Sequence, residues 1–116
     1  MSSSNKIQNR KSKDPFDVLI FEKGLRIKSL WIDKELDMLV VILNNGFLIK
    51  ETLSTYPTLK SATIKNLNNW KLISNGIGVT WKTLNEDLSL KGFIKNGALH
   101  ETLRLLEGRG LQKIIA

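Results

Sequence analysis

Met38-Leu39-Val40-Val41-Ile42-Leu43-Asn44-Asn45-Gly46-Phe47-Leu48-Ile49-Lys50 is the stretch whose reading decides the fold. Its first six residues are apolar at odd and even positions alike. A strand of that kind is covered on both faces and sits centrally in a sheet. Asn44-Asn45-Gly46 ends the run with turn chemistry. Asn45-Gly46 is suited to the two positive φ angles of a type I′ hairpin turn, so residues 47–53 are expected to return as an antiparallel partner.

Toward the N-terminus, residues 25–33 read as a further strand. Leu25, Ile27 and Trp31 share one parity, and Leu30 and Ile32 take the other near Ser29. That switch predicts a bulge, or burial on both faces at one end. Before it lie a short apolar run at residues 16–21 and the turn residues Glu22-Lys23-Gly24. Asp14-Pro15 marks the start of the folded domain. Residues 1–14 are rich in Ser, Asn, Lys and Arg, with too little apolar surface to offset the entropy of ordering, and are expected to form a disordered basic tail.

Toward the C-terminus, Pro57 suits a helix start, and Leu59, Ala62, Thr63 and Leu67 predict one short helix over residues 58–68. Residues 70–74 and 77–81 read as strands around a second turn at Asn75-Gly76, with Ile77, Val79 and Trp81 on one face. Asn85-Glu86-Asp87-Leu88-Ser89 offers N-cap residues to a helical turn running through Phe93 and Ile94, with Asp87 as a cap. Asn96-Gly97 is expected to break that turn. A second helix follows over residues 98–107, with Leu99, Leu103 and Leu106 as one apolar stripe and Gly108 as its C-cap. The expected class is α+β: a small antiparallel β-meander of about five strands, with one inserted helix and C-terminal helices. Three segments result: the tail (1–14), the α+β core (15–94) and a C-terminal helical extension (95–116).

A chain of 116 residues makes one domain, and one this short is a candidate for oligomerisation. The absence of cysteine excludes disulfides and thiolate metal sites. The longest apolar run is far too short to span a bilayer, and Met1-Ser2-Ser3-Ser4-Asn5 leads into no secretory h-region, so the expected location is the cytoplasm. The net charge of +7 favours an acidic partner or nucleic acid, though a solvated basic face would give the same count. Lys6, Arg10, Lys11 and Lys13 concentrate positive charge in the tail, opposed only by Asp14. Aromatic residues at 7% are too few for a broad base-stacking platform.

Catalytic patterns are weak. His100 is the only histidine and has no nucleophile or second ligand placed by the sequence. Glu86 and Asp87 are adjacent, and adjacent carboxylates usually point apart. Gly76-Ile77-Gly78 opens a strand rather than a helix, so it is no phosphate cradle. No metal-ligand spacing, helix-turn-helix or RNA-binding aromatic signature is present, and no cofactor is expected. Trp31, Trp70 and Trp81 are core residues by default, and an exposed one among them would mark an interface anchor.

Three segments carry a resemblance: Tyr56-Pro57-Thr58-Leu59-Lys60-Ser61-Ala62-Thr63, then Gly76-Ile77-Gly78-Val79-Thr80-Trp81, then Leu84-Asn85-Glu86-Asp87-Leu88-Ser89-Leu90-Lys91-Gly92-Phe93-Ile94. Together they resemble the small bacterial domain-of-unknown-function family 2442, over roughly residues 25–94. The resemblance implies a compact α+β fold and no known enzymatic activity. It also implies a regulatory or defence role, since such members are often encoded beside toxin–antitoxin or mobile-element genes. The basic tail and residues 95–116 depart from the family pattern, and Asn85 stands where the family more often has Asp.

The expected function is a non-catalytic accessory or regulatory binding protein, acting as a homodimer. Leu99, Leu103 and Leu106, with Leu111, Ile114 and Ile115, would make the self-contact or partner interface. Lys6, Arg10, Lys11 and Lys13 would touch nucleic-acid backbone. The partner would be a protein or nucleoprotein complex of a defence or toxin–antitoxin-type system, an RNA-guided nuclease of the Cas9 type being one concrete case. The alternatives are an antitoxin that neutralises a toxin by protein contact alone, insensitive to salt, and a carboxylate-dependent hydrolase using Glu86, Asp87 and His100.

Overall fold

Residues 14–109 are described by a computed structural model, with side chains through residue 107. The central apolar run forms β2 (Met38–Leu43), flanked by β1 (Ile27–Asp33) and β3 (Leu48–Thr52) in a three-stranded antiparallel sheet of order β1-β2-β3. Leu39, Val41 and Leu43 are buried on the core face; on the other face Val40 is buried beside its strand neighbours but Met38 and Ile42 are only half-buried, so the expected cover on both faces is realised on one. The β1–β2 register shifts between Ile27 and Ser29, so the parity switch is a bulge.

The turn after β2 differs from the expected type. Gly46 N–H donates to the Leu43 carbonyl at 2.9 Å, and Leu43 N–H donates to the Phe47 carbonyl at 2.9 Å. Only Gly46 has positive φ, at 89°, and the Asn45 side chain accepts from Phe47 N–H. These are the marks of a three-residue hairpin loop closed by a glycine bulge, not a two-residue type I′ turn. Asn45 meets its needs through its side chain and has no call for a left-handed backbone.

A second antiparallel sheet, β4 (Lys71–Ile73), β5 (Gly78–Trp81) and β6 (Glu86–Ser89), brings the total to six strands in two sheets. The sixth strand corrects the reading of residues 85–89. Asn85 turns the chain with φ 53°, and Glu86 to Ser89 then pair with β5. Asp87 lies opposite Thr80 and accepts a hydrogen bond from its hydroxyl, so it caps nothing. Ser89 is the cap, its side chain accepting from Gly92 N–H at 3.0 Å.

The helix expected over residues 58–68 is two single turns, α2 (Pro57–Lys60) and α3 (Ile64–Leu67). Thr63 takes an extended backbone and caps α3 through Asn66 N–H, which restarts the helix instead of continuing it. Near the N-terminus the apolar run coils as α1 (Pro15–Asp17) and a wider π-type turn (Val18–Glu22), with Asp14 capping it. The last helix, α4 (Leu90–Arg104), runs straight through Asn96-Gly97, where a break was expected, and widens into a further turn (Leu105–Arg109). Lys91 holds its start to α1 by ion pairs with Asp14 and Asp17 at 2.7 and 3.0 Å.

One core joins these parts. Ile27, Leu30, Leu39, Val41 and Ile49 from the first sheet meet Val79 and Trp81 from the second. Leu59 and Leu67 of the short helices, Leu90 and Phe93 of α4, and Ile20 close it.

Candidate functional site

Gly97 explains why α4 is unbroken. A Cβ built there would lie 2.9 Å from Ile49 Cγ2, so the glycine lets the helix approach β3 at close range. Its helical cost is offset by that contact. Beyond this point the helix carries its apolar stripe to solvent: Leu99, Leu103 and Leu106 are 55%, 41% and 62% exposed. The stripe foreseen from spacing therefore exists and lacks a cover among the described residues. Leu111, Ile114 and Ile115, assigned to the same interface, lie outside the described residues, as do the tail cations Lys6, Arg10, Lys11 and Lys13.

The opposite side of α4 borders a cleft. Leu19, Leu43, Phe47 and Ile49 form one wall and Ile94 and Ala98 the other, around a volume of about 580 Å³. At 100° per residue, Leu99 and Leu103 fall roughly opposite Ile94, Gly97 and Ala98, so the stripe and the cleft are separate surfaces.

Below the cleft is a buried polar group that the sequence reading missed. Glu51 on β3 is only 4% exposed. The Tyr56 hydroxyl donates to its Oε1 at 2.7 Å, Asn96 of α4 donates to that same hydroxyl at 3.3 Å, and Oε2 is buried without a partner among the described residues. Tyr56 also meets Phe93 edge to face. The signal was present: Glu51 shares the parity of Ile49 and Leu53, both buried. The network ties α4 to β3 and α2, and it places α4 where both of its outer surfaces are presented.

Burial pushes the Glu51 carboxyl above its usual range, partly opposed by the Tyr56 hydroxyl and the charge of nearby His100. A carboxyl raised on folding holds its proton more tightly in the folded than in the unfolded chain. The stability it lends is whole below about pH 4.5 and is lost as pH rises through the folded value. Glu51→Gln is therefore expected to melt a few degrees above the parent near about pH 8 and level with it near about pH 4. Asp14 and Asp37 are lowered, each chiefly by a side-chain hydrogen bond, from Lys91 and Ser54 respectively. Their stabilisation is lost as pH falls below 3.8 in both proteins, so the difference between the two melting profiles isolates Glu51.

The tryptophans divide clearly. Trp81 is fully buried, Trp70 packs partly buried against the core, and Trp31 is 48% exposed. Cross-strand register sets Trp31, Val40 and Lys50 in one row, next to Ser29, Ile42 and Leu48. Trp31 is thus the exposed tryptophan, on the sheet face turned away from the core.

Among the described residues the carboxylates and histidine of the catalytic alternative lie on separate elements. Glu86 and Asp87 alternate along β6 and point to opposite faces, and His100 is an exposed residue of α4. Among the described residues no group of three His, Cys, Asp or Glu side chains could hold a metal ion. No described helix is long and apolar enough to cross a membrane.

A family model described as "Protein of unknown function (DUF2442)" matches residues 27–98. A protein of unknown function from Rhodospirillum rubrum has a similar structure, with TM-score 0.55 and 26% identity over 63% of this chain and 88% of that one. An uncharacterized protein from Chromobacterium violaceum, solved by solution NMR, is similar at TM-score 0.56 and 26% identity over 78% and 80%. None of the curated proteins matches. The family match stops at residue 98, just before the exposed leucines.

Proposed function

Starting from the chain's membership of the DUF2442 family, whose function is unknown, we propose that it is a non-catalytic accessory module that captures partners through α4, beginning with a second copy of itself. One observation carries this reading: Leu99, Leu103 and Leu106 lie uncovered on one side of a helix otherwise well anchored to the core. Three leucines at helical spacing are a self-complementary seam for two antiparallel helices, and covering them removes apolar surface from water.

The wider role is accessory to a defence or toxin–antitoxin-type system. The partner is a protein or a nucleoprotein, with an RNA-guided nuclease of the Cas9 type as one case. The net charge of +7 supports a nucleoprotein, because lysine and arginine contacts would strengthen its hold on nucleic-acid backbone. A steep loss of partner affinity with salt goes with that reading. A salt-insensitive complex goes instead with an antitoxin working by protein contact alone.

Leu103→Glu/Leu106→Glu tests the seam. Sedimentation equilibrium is expected to give twice the chain mass for the parent and the single mass for the variant. The variant should still unfold in one cooperative transition, because both side chains are exposed within one chain. A parent of single mass, or a variant that stays paired, would refute the seam.

A further inference from the structure

The strand order β1-β2-β3 leaves β3 at the edge of its sheet. Two hydrogen bonds fix which of its backbone groups face outward: Leu43 N–H donates to the Phe47 carbonyl and Leu53 N–H to that of Asp37. Antiparallel bonding alternates, so the pairs Val41–Ile49 and Leu39–Glu51 face inward to β2. Leu48 and Lys50 then turn their N–H and C=O to the open side, as Thr52 does its N–H, while the Thr52 carbonyl opens the 3-10 turn that follows (Leu53–Thr55). Among the described residues no strand pairs with β3 on that side.

We infer that this edge, with the cleft beside it, takes an extended segment of a partner protein as an added strand. The cleft adjoins the edge between β3 and α4, so main-chain pairing and side-chain pockets are offered together. Alternate side chains of the added strand would point inward beside Ile49, toward Ile94, Gly97 and Ala98, in a lining that is mostly apolar but includes the Glu101 carboxylate, so apolar and not acidic side chains suit this side. The other set would lie beside Leu48 and Lys50 on the sheet's outer face.

Charge selects the occupant. A second copy pairing antiparallel about the midpoint of β3 would set Lys50 directly against Lys50, which destabilises self-pairing at this edge. A partner strand with an acidic residue opposite Lys50 suffers no such repulsion, and the chain's net charge of +7 draws it in. The occupant is therefore an extended segment of another protein in which small apolar residues alternate with acidic ones.

The test is an NMR titration of the isotope-labelled full chain with a capped hexapeptide of alternating glutamate and valine. Saturable shifts are expected at the amides of Leu48, Lys50 and Thr52 and at Gly97 and Ala98. N-methylating the peptide nitrogens that face β3 should weaken binding at least tenfold, as should Ala98→Arg, which fills the cleft from an exposed position. Lys50→Glu should reverse the preference toward a lysine–valine peptide. Leu103→Glu/Leu106→Glu should bind the peptide unchanged, so failure here and failure of the α4 seam are distinguishable. No shifts, equal binding of the N-methylated peptide, or indifference to Ala98→Arg would each overturn strand addition.

Discussion

Trp81→Ala is expected to destabilise the fold by about 4 kcal/mol, measured as the loss in unfolding free energy by urea titration. Trp81 is wholly buried at the end of β5, and its indole N–H donates to the Leu67 carbonyl at 2.8 Å. That bond ties the second sheet to the last turn of α3. Truncation leaves a cavity among close-packed neighbours and a buried carbonyl without its donor. Domains of this size have a total stability of about 5–15 kcal/mol, so much of it would be gone. Trp81→Phe separates the two effects. It keeps most of the volume and loses the donor, and should cost about 1–3 kcal/mol. A loss under about 1 kcal/mol for the alanine variant would contradict the packing around Trp81.

Gly76→Ala carries the second large effect, about 3 kcal/mol, although it adds a single methyl group. Gly76 has φ 93°, and a Cβ there would sit 2.6 Å from the Ile27 carbonyl oxygen and 3.1 Å from Arg26 Cβ. The obstacle is backbone of β1, which cannot swing aside as a side-chain tip can. The turn between β4 and β5 would have to withdraw from the first sheet. Gly46→Ala is the control. Its φ of 89° imposes similar backbone strain, but nothing lies within 4 Å of a Cβ there. It should cost about 1 kcal/mol. Equal losses for the two variants would mean that strain alone, and not the close approach of the sheets, makes position 76 a glycine.

These two residues show where a local reading runs out. Asn75-Gly76 is legible as a turn, and Trp81 as a member of an apolar strand face. Neither reading says that the turn touches β1 or that the indole reaches Leu67, because both contacts join segments far apart in the chain. The same limit explains the errors. Asn96-Gly97 has the composition of a helix break, but contact with Ile49 outweighs local propensity. Residues 86–89 carry good capping side chains, yet pairing with β5 makes them a strand and leaves the cap to Ser89. Glu51 looks like a surface charge until Tyr56 and Asn96 close over it.

What the sequence determined by itself is whatever depends on neighbours within one segment. The α+β class, the central place of the apolar strand, an irregularity near Ser29, the turns at Gly46 and Gly76 and the leucine stripe of the last helix all follow from periodicity and backbone preference over a few residues. Tertiary structure decided everything that depends on which segment covers which. It split the strands into two sheets, sent Trp81 inward and left Trp31 outside, and placed β3 at an open edge beside α4. The reason is physical. Hydrophobic burial is non-directional, so an apolar face states that it needs a cover without stating which surface supplies it.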